Sequence, residues 1–437
     1  MLKRIALIAI AAALFACAAR AEGPLCVCAG GVVALTDAAG VELIESSAFE
    51  AIFAVREGAL YAAGRRGDYR LYDASGNALG EERFAMIHDE GGALVFRRDG
   101  LYGAMDEAGA VVVSPRWTQL TGDGADGWLA LDGDPLDDRP DEIRHLDASG
   151  EARGTGVYTA CGLRPVRCDR MPYQAANGLY GAVNGRGEVA VKPTWKCVGA
   201  YENGLAKAWR DYGVGLIDAA GNVIVPPVYD WLERGGAMIA AQAGDRIDVF
   251  STDGAQRLFG IRGEGAEVGL VGSCLSLTVN GRTLLYGPDG ALLYESASRV
   301  RFREGLQGRL IASDGAWGEA CEWLTDPDGS PASGRFQQLL PLCADRYAYL
   351  EMDGVEYYSD ELGALQRSWD YGHMRYGLTD GAGNRLLPAE YSEIRALSDD
   401  RLLLVSEDSV SIADLNGRAL REWAIAESEA PSASAGA

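Results

Sequence analysis

The chain has 437 residues, of which 48% are apolar and 24% charged, a composition that supports a large folded core and excludes a disordered or fibrous protein. Its 63 acidic and 40 basic side chains give a formal net charge of −23 at pH 7. So acidic a surface repels phosphate groups, which argues against nucleic acid and anionic lipid as partners.

Residues 1–21 have the features of a secretory signal peptide. A basic start precedes an apolar run over residues 5–16, which is too short to span a bilayer, and a small-x-small cleavage site follows at residues 19–21. We therefore predict a mature chain that begins at Glu22 and is secreted, periplasmic or on the cell surface. The alternative is a lipoprotein anchored at Cys17, because "LFAC" resembles a bacterial lipobox. No other stretch is long and apolar enough for a transmembrane segment.

Residues 22–424 repeat a short pattern in which an acidic or amide side chain precedes a glycine by three residues. This spacing is typical of a type I turn, where the Asp or Asn accepts hydrogen bonds from its own turn and the glycine takes a left-handed conformation. Two more glycines fit the spacing without that partner, which makes twelve units of about 36 residues. The pairs are Asp37/Gly40, Asp73/Gly76, Asp106/Gly109, Asp147/Gly150, Asn184/Gly187, Asp218/Gly221, Asp326/Gly329, Asp360/Gly363, Asp380/Gly383 and Asp414/Gly417, and the further glycines are Gly254 and Gly290.

In seven of the twelve units an aromatic residue follows the turn glycine by eight positions. The residues between alternate apolar and polar, which predicts a half-buried strand with the aromatic on its buried face. We predict that these aromatics pack between neighbouring units and do not stack on a ligand. Pro115, Pro193 and Pro227 lack an amide donor and are predicted at a strand end or a sheet edge. The aromatics are Phe84, Trp117, Tyr158, Trp195, Tyr229, Tyr371 and Tyr391.

The stretch "YGVGLIDAAGNVIVPPVYD", residues 212–230, combines a Tyr-Gly opening, an Asp-x-x-Gly turn and a proline-containing second strand. With these features the chain resembles the bacterial WG (KWG) repeat family, and residues 102–117, 180–195 and 376–391 share the pattern. Trp317-Gly318 has the opening dipeptide of the family, but the Asp-x-x-Gly turn does not follow it at the spacing found in the other units. The resemblance implies tandem β-repeats, often in exported proteins, and it carries over no catalytic residue.

The predicted fold is all-β, with roughly three short strands in each unit. A unit of this size cannot bury its own face, so consecutive units must stack. Propeller-like closure is favoured over an open β-solenoid because a ring avoids long exposed edges. Twelve units suit two rings or sub-arrays better than one ring. The interval of 20 residues between Gly363 and Gly383 indicates a truncated unit or a junction.

No catalytic, cofactor-binding or metal-binding residue is assigned from the sequence. His88, His145 and His373 are widely separated, and no nucleophile or nucleotide-binding motif occurs. The acidic loop Asp132–Glu142 contains five aspartates and a glutamate, so it is either a calcium-binding loop or a solvated surface loop.

The mature chain has an even number of cysteines, which suggests disulfides in an exported protein. We predict a disulfide between Cys161 and Cys168, which would close the short loop "CGLRPVRC". No Cys-x-x-Cys pair supports zinc binding. The eight cysteines are Cys26, Cys28, Cys161, Cys168, Cys197, Cys274, Cys321 and Cys343.

Two functional classes fit these features. The first is a non-enzymatic binding or scaffold protein at the cell envelope or outside the cell, with a protein or glycan partner. The second is a propeller-type glycan-active enzyme, with paired carboxylates from different repeats about 5–10 Å apart in one pocket. The lack of convergent catalytic residues favours the first. Residues 425–437 are rich in small residues, Pro and Ser, and are predicted to be disordered.

Overall fold

The computed structural model describes residues 23–44, 49–89, 94–133, 139–315, 321–352, 355–359, 365–369 and 374–425. Within these ranges the regular structure is 43 β-strands. The predicted signal peptide, Cys17, residues 426–437 of the predicted tail, Trp317-Gly318, Tyr371 and His373 lie outside the described residues. Among the residues with described structure, no helix has the length and apolar character that crossing a bilayer requires.

The strands form twelve antiparallel sheets: eleven that we call blades 1 to 11 in chain order, and one separate two-stranded hairpin. Blades 1 to 3 contain β1 (Leu25–Ala29), β2 (Val32–Thr36), β3 (Glu42–Ile44); β4 (Ala51–Arg56), β5 (Leu60–Arg65), β6 (Asp68–Asp73), β7 (Ala78–Phe84); and β8 (Met86–Asp89), β9 (Leu94–Arg98), β10 (Leu101–Met105), β11 (Val111–Trp117). Blades 4 to 6 contain β12 (Gln119–Gly122), β13 (Trp128–Leu131), β14 (Asp141–Leu146), β15 (Ala152–Thr159); β16 (Met171–Gln174), β17 (Tyr180–Val183), β18 (Val189–Trp195); and β19 (Cys197–Glu202), β20 (Leu205–Arg210), β21 (Gly213–Asp218), β22 (Val223–Tyr229).

Blades 7 to 9 contain β23 (Trp231–Arg234), β24 (Ile239–Ala243), β25 (Arg246–Phe250), β26 (Arg257–Arg262); β27 (Glu267–Val271), β28 (Cys274–Val279), β29 (Arg282–Tyr286), β30 (Leu292–Ser296); and β31 (Arg301–Glu304), β32 (Leu310–Ser313), β33 (Glu322–Thr325). Blade 10 contains β34 (Gln338–Cys343) and β35 (Arg346–Met352), then a separate hairpin of β36 (Val355–Ser359) and β37 (Leu365–Trp369), and finally β38 (Met374–Asp380) and β39 (Arg385–Tyr391). Blade 11 contains β40 (Glu393–Ala396), β41 (Leu402–Val405), β42 (Ser409–Ala413) and β43 (Ala419–Ala424).

Eight blades have four strands, one more than the sequence predicted for a unit, and blades 1, 5 and 9 have three. The additional strand begins directly after the aromatic position: β11 ends at Trp117 and the first strand of blade 4 begins at Gln119. A short strand that starts two residues after another strand ends has no turn signal before it, so the repeat pattern does not reveal it. In blade 5 the place of the first strand is taken by residues 160–170.

The 20-residue interval between Gly363 and Gly383 is explained by an inserted hairpin. Strands β36 and β37 pair only with each other, between the second and third strands of blade 10. Gly363 lies outside the described residues, in the connection between these two strands. The unit predicted at Asp360/Gly363 is therefore an insertion, and the other eleven turn glycines correspond to the eleven blades.

The eleven blades form one closed ring, a β-propeller. First strands of consecutive blades contact each other, as β4 contacts β8 and β23 contacts β27, so these strands line the inside of the ring. Closure joins blade 11 to blade 1: Leu403 packs with Val27 in one buried cluster, and Trp423 Nε1 donates to Glu42 Oε1 at 2.8 Å. Propeller-like closure is confirmed, and it occurs in one ring, although twelve units seemed better suited to two.

The predicted turn is confirmed, and it also brings neighbouring blades together. In blade 6, Gly221 has φ +84° and its N–H donates to Asp218 O at 3.0 Å, while Asp218 Oδ1 accepts from the N–H of Asn222 at 2.8 Å. A Cβ atom on Gly221 would lie 2.9 Å from Val191 Cγ1 of blade 5. Glycine is therefore required here both by the backbone conformation and by the closeness of the preceding blade.

Most of the described repeat aromatics are buried between blades, as predicted. Tyr229, 4% exposed, ends blade 6 and packs against Phe250 of blade 7 with ring centroids 6.1 Å apart. Its hydroxyl donates to the buried carboxylate of Asp248 at 2.9 Å. Tyr158 differs, being 51% exposed. Blade 5, which follows Tyr158, lacks the first strand that would otherwise cover the ring.

The prolines lie at a sheet edge, as predicted. Pro115, Pro193 and Pro227 are in the last strands of blades 3, 5 and 6, at a register shift opposite a glycine. In blade 6 that glycine is Gly215, where a Cβ atom would lie 2.3 Å from Val225 O. The last strand has no neighbour on its outer side within the blade, so the missing amide donor leaves no ladder bond unmade.

Candidate functional site

The two faces of the ring carry different parts of the repeat, because successive strands of a blade run in opposite directions. One face carries the Asp-x-x-Gly turns between third and fourth strands. The other, which we call the crossover face, carries the linkers between blades and the turns between second and third strands. Since the repeated turn and aromatic positions serve blade packing, candidate functional residues are those at which a blade departs from the repeat.

Tyr212 is such a departure. In blades 3 and 5 the tyrosine of the Tyr-Gly dipeptide lies opposite the last-strand tryptophan, whereas in blade 6 Val214 takes that place opposite Tyr229. Tyr212 instead lies in the turn between β20 and β21, on the crossover face, and is 97% exposed. Lys196 Nζ lies 5.2 Å from its ring centroid and donates to Asp211 O at 3.0 Å. The ring is therefore held at the surface beside a cation.

Positive charge is concentrated in this part of an otherwise acidic chain. Residues 153–212 contain nine Lys or Arg and four Asp or Glu, and three of the four lysines of the whole chain are among them. Arg164, Lys196 and Arg210 are exposed on the crossover face, and the Arg210 guanidinium lies 4.2 Å from the Trp195 ring centroid. We call Arg164, Lys196, Arg210 and Tyr212 the basic sector. The net charge of the whole chain conceals it, but a charge count by segment would have found it.

A cleft of about 590 Å³ adjoins the basic sector and shares Arg164 with it. Its wall comes from blade 3, from the start of blade 4 and from the loop that replaces the first strand of blade 5. This loop is fixed by Leu163 N–H, which donates to Gln119 Oε1 at 2.6 Å. Among the described lining residues, the side chains with donor groups are those of Arg97, Tyr102, Thr118, Gln119, Arg164 and His88, of which Thr118 donates to Leu131 O; Thr121 is buried, and the carboxylate is Asp99. Such a lining suits a ligand rich in hydrogen-bond acceptors.

A second cleft, of about 320 Å³, lies between blades 9 and 10 on the same face. Here Glu322 pairs with Phe336, at the place where Tyr102 pairs with Trp117 in blade 3. Glu322 Oε2 accepts from Arg303 Nη2 and from Leu339 N–H, each at 2.6 Å. The carboxylate thus joins blade 9 to blade 10, which gives it a structural role.

Among the described residues, His88, His145 and the two ends of the acidic loop do not form one site. His88 lines the first cleft, whereas His145 Nε2 lies 3.2 Å from Asp123 Oδ2 within blade 4. In the described part of the acidic loop, Asp132 and Glu142 lie 3.2 and 3.4 Å from the Arg144 guanidinium nitrogens. Residues 134–138 of that loop lie outside the described residues. No group of three or more His, Cys, Asp or Glu is placed to hold a metal ion among the described residues.

The disulfide predicted between Cys161 and Cys168 is not present in the structure, where both thiols are free. Cys161 Sγ lies 3.4 Å from Thr159 Oγ1, and Cys168 Sγ accepts from Gly204 N–H at 3.4 Å. The two cysteines lie at opposite ends of the loop that replaces the first strand of blade 5. Cys161 is thus beside the end of blade 4, whereas Cys168 contacts blade 6, so the two thiols have different neighbours.

Residues 215–234 match the family model described as a WG containing repeat. The chain contains a WG repeat. The match covers the third and fourth strands of blade 6 and the start of blade 7, which confirms the resemblance on its best-fitting unit. None of the curated proteins matches this chain significantly.

Solved structures that resemble this WG-repeat chain do so at low sequence identity. A eukaryotic initiation factor has 10% identity and a TM-score of 0.45, over 84% of this chain and 96% of that one. The computationally designed Ika8 protein has 14% identity and a TM-score of 0.30, over 65% and 95% of the two chains. Hsv2p of Kluyveromyces lactis has 9% identity and a TM-score of 0.31, over 60% and 97%.

Proposed function

We propose that this WG-repeat propeller is an exported, non-enzymatic protein that binds a protein or glycan partner at the cell envelope or outside the cell. The observation that carries the proposal is the exposed, cation-flanked ring of Tyr212 on the same face as the donor-lined first cleft. A large aromatic side chain that is 97% exposed contributes nothing to the core, and such rings are enriched where proteins bind partners. Export is supported by the signal-peptide features of residues 1–21.

The enzyme alternative requires two carboxylates about 5–10 Å apart in one pocket. Each of the two clefts has one carboxylate among its described lining residues, Asp99 in the first and Glu322 in the second. Glu322 is engaged by Arg303 and by the backbone of blade 10. This arrangement supports binding more than glycan hydrolysis.

The test is capture of partners by the mature protein, residues 22–437, from its own cell envelope, alongside a glycan array. We expect the wild-type chain to retain a partner and Tyr212→Ala to lose it with an unchanged melting temperature. Tyr158→Ala is the matched control, since Tyr158 is also exposed but lies outside the basic sector. Loss of capture in both variants, or in neither, would contradict the proposed surface.

The same preparation distinguishes binding from catalysis. We expect no release of reducing sugar from any glycan that the protein retains. Release by the wild type that stops in Asp99→Asn or Glu322→Gln would establish the enzyme alternative instead.

A further inference from the structure

We propose that the basic sector and the adjoining cleft bind an acidic polysaccharide, a chain of sugar rings that carry carboxylates. This inference rests on the proposed binding function and names the chemistry of its ligand. It starts from charge: the chain as a whole has net charge −23, yet its only clustered lysines lie in blades 5 and 6. A cationic surface on an acidic molecule attracts anionic groups locally, while the remaining surface repels them.

The cations are arranged along an arc and not in one enclosed pocket. Arg97 and Arg164 line the cleft that extends from blade 3 to the loop of blade 5. Lys196 lies in the next linker, between blades 5 and 6, and Arg210 at the end of β20 in blade 6. Asp211, in the turn that follows β20, and the carboxylate that lines the cleft offset part of this charge. Separated cations along one face suit an extended ligand with repeated negative charges better than a small anion.

The uncharged groups favour a sugar chain over an acidic peptide. Tyr212 presents a flat ring at the surface with Lys196 Nζ 5.2 Å from its centroid. Such a ring can contact the apolar face of a sugar while the ammonium group pairs with the carboxylate of the same sugar. In the cleft, Gln119 has an amide NH2 group besides the Oε1 that accepts from Leu163, and the oxygen of the Thr118 hydroxyl, which itself donates to Leu131 O, can accept from a sugar hydroxyl.

The experiment measures binding of the mature protein to oligogalacturonate, with its methyl ester as the uncharged probe, by calorimetry at low and high salt. We expect the acid form to bind and the ester to bind at least about tenfold more weakly. High salt should reduce this difference in affinity, because it screens the charge interaction. Lys196→Glu and Arg164→Glu should each reduce affinity about tenfold or more, and Tyr212→Ala should reduce affinity for both probes.

Arg186→Glu is the matched control. Arg186 is exposed in the Asp-x-x-Gly type turn of blade 5, so the same charge reversal is made in the same blade but on the opposite face. We expect less than about a twofold change. Equal losses in Arg186→Glu and Lys196→Glu would overturn the inference, because they would show an effect of net charge alone.

Two further outcomes separate this inference from the proposed function. Equal or tighter binding of poly-glutamate or of double-stranded DNA would overturn the assignment to a polysaccharide. Binding of neither oligogalacturonate nor these probes, with an envelope protein still captured through Tyr212, would overturn the inference and leave the proposed binding function standing.

Discussion

At the residue scale, Tyr229 shows how one aromatic joins two blades. Its ring packs on Phe250, and its hydroxyl donates to Asp248, which also pairs with Arg246 and Arg257. Burial raises the pKa of Tyr229, and the hydrogen bond to Asp248 raises it further. The hydroxyl therefore stays protonated and remains a donor to the buried carboxylate near neutral pH.

We expect Tyr229→Ala to lower the free energy of unfolding by about 3–5 kcal/mol, through lost burial and a cavity between blades 6 and 7. Tyr229→Phe should cost about 1–3 kcal/mol, because it leaves Asp248 without one donor. Tyr158→Ala is the control: it occupies the same repeat position but is half exposed, so we expect less than about 1 kcal/mol. Urea melts give the ranking. A Tyr158 loss as large as that of Tyr229 would contradict the role assigned to burial.

Gly221 and Gly178 separate conformational strain from crowding between blades. Both glycines close the same type of turn and have φ +84° and +79°, but a Cβ atom at Gly178 would meet nothing within 4 Å. We expect Gly178→Ala to cost about 1–2 kcal/mol from the left-handed conformation alone. Gly221→Ala should cost about 1–3 kcal/mol more, because its Cβ meets Val191. Thermal melts of the two variants test this, and equal losses would show that blade 5 moves away at no cost.

At the scale of elements, the repeated turn is stabilised by its ionised aspartate. A hydrogen bond from the Asn77 side chain is the largest cause that holds the pKa of Asp73 below its usual value. A hydrogen bond from Ser149 does the same for the pKa of Asp147, and the backbone N–H of Arg418 does so for Asp414. Several blades thus share one pH-dependent element.

The sign of the pH effect follows from the lowered pKa values. A carboxylate with a lower pKa in the folded chain than in the unfolded chain stabilises the fold above its unfolded pKa, near 4. That contribution is lost as pH falls through the folded value. We expect urea midpoints to fall between pH 5 and pH 3, and the fall to be smaller in Asp73→Asn, whose side chain accepts the same backbone bonds without titrating. An identical fall in wild type and variant would place the pH dependence elsewhere.

At the scale of the whole molecule, ring closure makes the junction of blades 11 and 1 equivalent to every other junction. Leu403 is fully buried in the cluster that joins blade 11 to blade 1, and Leu216 is fully buried in the cluster that joins blades 6 and 7. In a closed ring, Leu403→Ala and Leu216→Ala should each cost about 2–5 kcal/mol. If Leu403→Ala costs far less than Leu216→Ala in denaturant melts, the junction is open in solution.

The local features of the fold were predictable from the sequence, because they depend on neighbours along the chain. An Asp-x-x-Gly turn fixes its own hydrogen bonds and its left-handed glycine, so each turn of this kind could be placed before the structure was known. The alternation up to Trp117, Trp195 and Tyr229 likewise fixed which face of the last strand is buried. The excess of positive charge around the basic sector was also present in the sequence, as nine basic and four acidic residues among residues 153–212.

Only the tertiary structure decided the features that depend on contacts between distant residues. Whether Tyr158 is buried depends on the next blade, which lacks its first strand, and no local pattern reports that. The number of blades depended on whether the Asp360-x-x-Gly363 motif belongs to a blade or to an inserted hairpin. The motif has the same residues in both cases, so the sequence does not distinguish them. Ring closure depends on the contact of Glu42 with Trp423, across nearly the whole chain, and the surface around Tyr212 depends on Lys196, which comes from the linker between blades 5 and 6. Sequence periodicity encodes each blade, whereas the sum of all blade-to-blade rotations determines where the chain ends meet.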